Sequence, residues 1–133
     1  MKSNLVKKCL TVLLSLACVL LLAGCCGNYK KFAIEGAAQL TVTSGSTGET
    51  VTITDPAIIE QVTGSVNGAD FYRGSLSILH DGWSYRLRWY DADGGKLEDI
   101  TVLNSRGIDY QNHFWTAGDG EINTALLDSL LGQ

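Results

Sequence analysis

The sequence predicts an α+β domain: an antiparallel meander sheet with an N-terminal hairpin and two short helices packed on one face. Three observations carry this expectation. Short runs alternate apolar and polar residues between turn residues. Two Asp-Gly pairs, Asp81-Gly82 and Asp93-Gly94, separate such runs, and that dipeptide is a strong hairpin signal. Two other segments, after Asp55-Pro56 and around Asn123, space their apolar residues as a helix does.

Taken in order, Leu40–Thr43 and Val51–Thr54 alternate apolar residues with Thr around Ser44–Gly48, which reads as a hairpin with a loose loop. Asp55-Pro56 then supplies an N-cap and a Pro at the first helical position. Ile58, Ile59, Val62 and Val66 follow on one helical face, to about Val66. Centring a turn on Asp81-Gly82 places Ile78 opposite Tyr85, Leu76 opposite Leu87 and Gly74 opposite Trp89. Centring one on Asp93-Gly94 places Tyr85 opposite Val102, Leu87 opposite Ile100, Arg88 opposite Asp99 and Asp91 opposite Lys96. Apolar residues meet apolar ones and opposite charges meet, which cross-strand pairing favours and a one-residue slip would spoil. Two more strands are expected near Arg106–Tyr110 and His113–Thr116, turning at Gln111-Asn112. A helix capped by Asn123 and ended by Gly132 carries Leu126, Leu127, Leu130 and Leu131. Leu76, Ile78, Tyr85, Leu87, Trp89, Ile100, Val102, Ile108 and Trp115 would form the covered face; Ser77, Arg86, Arg88, Asp99 and Thr101 the other.

The first residues have a different logic. Lys2, Lys7 and Lys8 precede an uncharged run from Cys9 to Tyr29, long enough to span a bilayer. The order of a basic flank, an apolar run and small residues is instead that of a secretory signal peptide. Leu22-Ala23-Gly24-Cys25 closes the run, and it resembles the lipobox of bacterial lipoproteins. The resemblance implies a diacylglyceryl group on the Cys25 sulfur and cleavage before Cys25. Two acyl chains hold a protein on a membrane where one does so only marginally. The competing reading is an uncleaved N-terminal anchor. On the lipoprotein reading, residues 1–24 are signal peptide, 25–31 are the lipidated cysteine and a short tether, and 32–133 are a single extracytoplasmic domain at the cell membrane. The six residues between Cys25 and Phe32 reach about 20 Å when fully extended.

Charge narrows the partners. Residues 25–133 contain all 14 acidic residues but 7 of the 10 basic ones, a formal charge of −7. Nucleic acid, whose phosphates require basic patches, is not an expected partner. Lys30 and Lys31, the one adjacent basic pair in this region, would either touch anionic headgroups or be solvated. With Cys9 and Cys18 removed and Cys25 a thioether, Cys26 alone remains and no disulfide forms within the mature chain.

Candidate chemistry is sparse. His80-Asp81 with His113 supplies too few ligands for a metal, and Asp81 is explained by its turn. Asp91–Gly95 with Glu98 and Asp99 departs from the EF-hand pattern at its fifth and sixth positions, where Gly95 and Lys96 stand. No Gly-x-Ser-x-Gly elbow, His-Glu-x-x-His or Gly-rich phosphate loop is present. The expectation is therefore a protein without catalytic residues, metal or cofactor. Alternation directs Trp83, Tyr85 and Trp89 into the core and leaves open the directions of Tyr90, Tyr110 and Phe114. Those three, with Arg86 and Arg88, form the candidate interaction surface.

The segments from Gln39 to Asn67 and from Trp83 to Leu131 resemble a group of small uncharacterised lipoproteins of Firmicutes. Members share a hairpin leading into a Thr-Asp-Pro helix start, an aromatic strand, an Asp-Gly hairpin and a final short helix. The resemblance implies fold and address and carries over no active-site residue. The leading expectation for function is a non-catalytic binding or interaction module whose partner is a neighbouring membrane or secreted protein. An inhibitor or immunity-type protein against a wall-acting enzyme, using the Ser44–Gly48 loop, is the alternative; a wall glycan-binding or hydrolytic protein is the third.

Overall fold

The computed structural model describes residues 2–77 and 82–133, with only the backbone described for residues 16–26. Helix α1 (Lys2–Gly24) is followed by a 3-10 turn (Cys25–Asn28). Among the described residues, no helix is long and apolar enough to cross a membrane. The chain then builds one eight-stranded antiparallel sheet and two further helices, in the order β1 (Tyr29–Lys31), β2 (Gln39–Ser44), β3 (Thr50–Ile53), α2 (Pro56–Asn67), β4 (Asp70–Leu76), β5 (Tyr85–Tyr90), β6 (Lys96–Asn104), β7 (Gly107–Tyr110), β8 (His113–Asp119) and α3 (Thr124–Leu131). The spatial order is β1-β4-β8-β7-β6-β5-β2-β3. The fold is α+β.

Helix boundaries follow local chemistry. The Asp55 carboxylate accepts a hydrogen bond from the Ala57 N–H at 2.9 Å, and Pro56 starts α2 without losing an intrahelical bond. The Asn123 side chain caps α3 through the Leu126 N–H at 3.1 Å. Gly132 ends α3 in the left-handed conformation at φ 71°, where a Cβ would be strained.

Strands β5 and β6 pair in the register that alternation predicts: Tyr85 with Val102, Leu87 with Ile100 and Arg88 with Asp99. The expected Asp91–Lys96 pairing does not form, because a register shift after Trp89 sets Tyr90 opposite Lys96. The turn is longer than two residues. Asp91 N–H donates to the Gly95 carbonyl and Gly94 N–H to the Asp91 carbonyl, and Gly94 alone takes a positive φ, 84°. The Asp91 carboxylate fills the loop, accepting from Asp93 and Gly95 N–H groups at 2.9 and 2.8 Å. At Gln111-Asn112 both residues have positive φ, 50° and 63°, which makes a tight two-residue turn joining β7 to β8.

The expected pairing of β4 with β5 is overturned. Strand β4 lies between β1 and β8, and β5 lies between β6 and β2. Leu40 and Val42 of β2 face Trp89 and Leu87, the places expected for Gly74 and Leu76, and Ser44 faces Tyr85. Leu76 instead faces His113 and is 56% exposed, while Ser77 is buried with its N–H donated to the Asn112 carbonyl. Ile78 and the Asp81 half of the first turn lie outside the described residues. Trp83, expected in the core, precedes β5 and is 39% exposed. Residues Tyr29–Lys31, expected in the tether, form the edge strand β1 against Asp70–Tyr72.

Leu40, Val42, Phe71, Leu87, Trp89, Ile100, Val102 and Ile108 are fully buried along one face of the sheet. The Trp89 indole N–H donates to the Thr63 hydroxyl of α2 at 2.9 Å, and the Tyr85 hydroxyl donates to the Asp128 carboxylate of α3. Tyr85 and Trp89 share one face of β5, so both helices touch the sheet from that side. The opposite face, carrying Arg86, Arg88, Asp99 and Thr101, is left half-exposed.

Candidate functional site

On this second face the β5–β6 register stacks charges around one carboxylate. Arg86 grips Asp99 with both ends of its fork, Nε to Oδ1 at 3.0 Å and Nη2 to Oδ2 at 3.0 Å. Arg88 Nε approaches Oδ2 at 3.3 Å and Lys96 Nζ approaches it at 3.5 Å. Three cations thus share one anion. Burial alone would raise the Asp99 pKa, but the hydrogen bonds and charges of Arg86 and Arg88 outweigh it and hold the carboxyl below its usual range. The Arg86 guanidinium is stabilised in its charged form, first by its hydrogen bonds to Asp99.

Beside this cluster lies an open cleft of about 530 Å³. Arg86, Lys96 and Asp99 form one side; Asp109 of β7 with Gln111 and Asn112 of the β7–β8 turn form another. The Asp109 carboxylate accepts the Ser77 hydroxyl at 2.8 Å, and the Glu98 carboxylate accepts the Tyr110 hydroxyl at 3.3 Å. Burial, followed by the charge and hydrogen bond of Glu98, pushes the Tyr110 hydroxyl pKa up. The lining therefore offers fixed charges of both signs together with side-chain amides, groups that form hydrogen bonds and ion pairs rather than apolar contacts.

Arg86, Arg88, Tyr90 and Phe114 all project from the face opposite the helices, as strand alternation from Leu87 and Trp115 requires. Tyr110 stems from the other face but lines the same cleft as Arg86. It lies on the face of Ile108, its ring edge-on to Phe32 with centroids 5.0 Å apart and the Lys30 ammonium 5.3 Å from its centre. Sequence reasoning passed over Lys96, which it paired with Asp91, and the Ser77–Asp109 contact. The first was hidden by the register shift at Tyr90, the second by the misplacement of β4. His113 Nδ1 sits 3.1 Å from the Gln111 carbonyl, while His80 and Asp81 lie outside the described residues. Among the described residues no group of three or more His, Cys, Asp or Glu side chains is placed to hold a metal ion. The lipobox side chains Leu22, Ala23 and Cys25 lie in the segment described by backbone alone, where Gly24 ends α1 and Cys25 opens the 3-10 turn.

Comparison with known proteins returns no matching family model, no matching curated protein and no matching solved structure.

Proposed function

We propose that this chain is a lipid-anchored extracytoplasmic protein that acts as a non-catalytic binding module at the cell membrane. The observation that carries the binding role is the cluster of Arg86, Arg88 and Lys96 on Asp99 beside the cleft, on the sheet face turned away from the two helices. Fixed, mutually ordered charges present a polar partner with a surface that needs little reorganisation. The anchor rests on Leu22-Ala23-Gly24-Cys25 after the basic and apolar run, and on the resemblance to Firmicutes lipoproteins. The partner is a neighbouring membrane or secreted protein.

Photo-crosslinking in intact cells tests this, with probes at Ser46, Tyr90 and Arg88 read by mass spectrometry. One abundant protein crosslinked at Tyr90 or Arg88 is expected. Adducts with glycan alone would replace the protein partner with wall fragments. In parallel, Cys25→Ala is expected to leave a full-length precursor that takes up no labelled lipid; normal processing of that variant would remove the anchor.

A second reading has its own observation. The loop after β2 is exposed from Gly45 to Glu49 yet internally braced, with Ser44 N–H donating to the Glu49 carbonyl and Gly48 N–H to the Ser44 carbonyl. Gly45 N–H also donates to the Ser84 carbonyl at 2.8 Å. An exposed, internally braced loop is what an inhibitor or immunity protein inserts into an enzyme's cleft. Exclusive crosslinking at Ser46 would favour that role.

A further inference from the structure

The shortness of the path from Cys25 to the sheet has a geometric consequence. Only the 3-10 turn Cys25–Asn28 separates the lipidation position from β1, and four residues in that conformation advance about 8 Å. Strand β1 is fastened rather than loose. Tyr29 donates its hydroxyl to Asp70 at 2.7 Å, Lys31 pairs with the same carboxylate at 3.2 Å, and the Lys30 ammonium sits 5.0 Å from the centre of the Phe32 ring. The register Tyr29 with Tyr72 and Lys31 with Asp70 runs β4 antiparallel to β1. Residues after Tyr72 therefore extend back toward Cys25, bringing Arg73 and Leu76 to the anchored end of the edge.

The composition of this edge differs from the rest of the chain. Tyr29 and Tyr72 are 45% and 53% exposed, their ring centroids 5.5 Å apart, and Leu76, farther along β4, is 56% exposed. Lys30, Lys31 and Arg73 are the basic residues of β1 and β4, and Asp70 is their one acid. The two strands carry +2 in a region, residues 25–133, that carries −7, which leaves −9 elsewhere. Tyrosines collect at membrane interfaces, where the ring is apolar and the hydroxyl wet, and basic residues are drawn to anionic headgroups. The acidic remainder is repelled by the same surface.

We propose that the β1–β4 edge is a membrane-docking surface: it meets an anionic bilayer edge-on, with Tyr29 and Tyr72 at headgroup depth on one face of the edge and Arg73 reaching the lipid phosphates from the other. This rests on the lipid-anchor reading and deepens it. The anchor does not merely hold the domain near the membrane; through β1 it sets which edge faces the lipid, leaving β3 on the far side of the sheet.

The test uses the processed lipoprotein made from the full chain and reconstituted in vesicles of phosphatidylglycerol with phosphatidylcholine, or of phosphatidylcholine alone. p-Benzoylphenylalanine replaces Tyr72 in one preparation and Thr52 of β3 in another, and adducts are read by mass spectrometry together with the mass on Cys25. Lipid adducts at Tyr72 should exceed those at Thr52 in the anionic vesicles. They should fall about fivefold with Arg73→Gln, the change expected for removing a single basic residue near such a surface. The same probe at the exposed Arg73 repeats the measurement if the Tyr72 replacement disturbs the sheet. Equal lipid adducts at both edges would overturn the docking surface while a diacylglyceryl mass on Cys25 kept the anchor. Adducts at Tyr72 with protein, or with a second copy of this chain, would also overturn it. A Cys25 without lipid would remove anchor and docking surface together.

Discussion

The indole N–H of Trp89 donates to the hydroxyl oxygen of Thr63 at 2.9 Å, and that hydroxyl donates in turn to the Ile59 carbonyl at 2.6 Å. A fully buried side chain of the central sheet is thereby joined to α2 through one relay. Thr63→Val keeps the shape and removes the acceptor, leaving a buried N–H without a partner. The expected loss is about 1–3 kcal/mol. Thr63→Ser should retain most of the stability. Urea unfolding of the two variants measures the difference, and equal midpoints would show that the relay contributes nothing.

Asp99 should govern the acid limb of stability. Its pKa is lower folded than unfolded, so its contribution is complete above the ordinary carboxylate value and is lost as pH falls through the folded value. Asp99→Asn is expected to cost about 1 kcal/mol at neutral pH, where a partly exposed Arg–carboxylate pair has its value. The variant should also lose less stability than the parent as pH is lowered below about 4. Parallel curves for parent and variant in unfolding experiments across that range would contradict the arrangement.

Tyr85 sets the alkaline limb. Burial, together with the hydrogen bond and charge of Asp128, pushes its pKa up to about 12. The folded protein thus keeps the proton that the unfolded chain releases near pH 10, and stability falls as pH rises from about 10 toward 12. Tyr85→Phe should flatten that decline while costing about 1 kcal/mol at neutral pH through the lost bond to α3. Thermal unfolding at pH 8, 10 and 11, read by circular dichroism, checks both parts.

Gly94 holds φ at 84° in the β5–β6 loop. A β-branched side chain there is strained, and Gly94→Val should destabilise the protein by about 1–2 kcal/mol. Space is not the cause, because a Cβ at Gly94 would meet nothing within 4 Å. An unchanged melting temperature would mean that the loop adopts another conformation.

Features legible in the sequence are those whose causes are short-range. Asp55-Pro56 and Asn123 cap helices through atoms two or three residues away, and Gln111-Asn112 makes its turn through its own positive φ angles. The β5–β6 register could be read because a slip of one residue would turn Leu87 and Ile100 to the open face. On the candidate site, the gathering of Arg86, Arg88 and Asp99 on one face followed from the same alternation. The position of Lys96 did not, because one irregularity after Trp89 shifts everything beyond it.

The sequence by itself determined the helix caps, the Gln111-Asn112 turn, which face of β5 and β6 is buried, the acidity of the chain and the lipobox pattern. Tertiary structure alone decided the neighbours: β2 rather than β4 beside β5, Phe71 of β4 against Ala117 of β8, and Tyr29–Lys31 as an edge strand. The reason is physical. Apolar burial is non-directional, so Leu40 and Val42 serve beside Trp89 and Leu87 as well as any alternating strand would. The choice among distant partners is made by the packing of the whole sheet, and no short stretch of chain contains it.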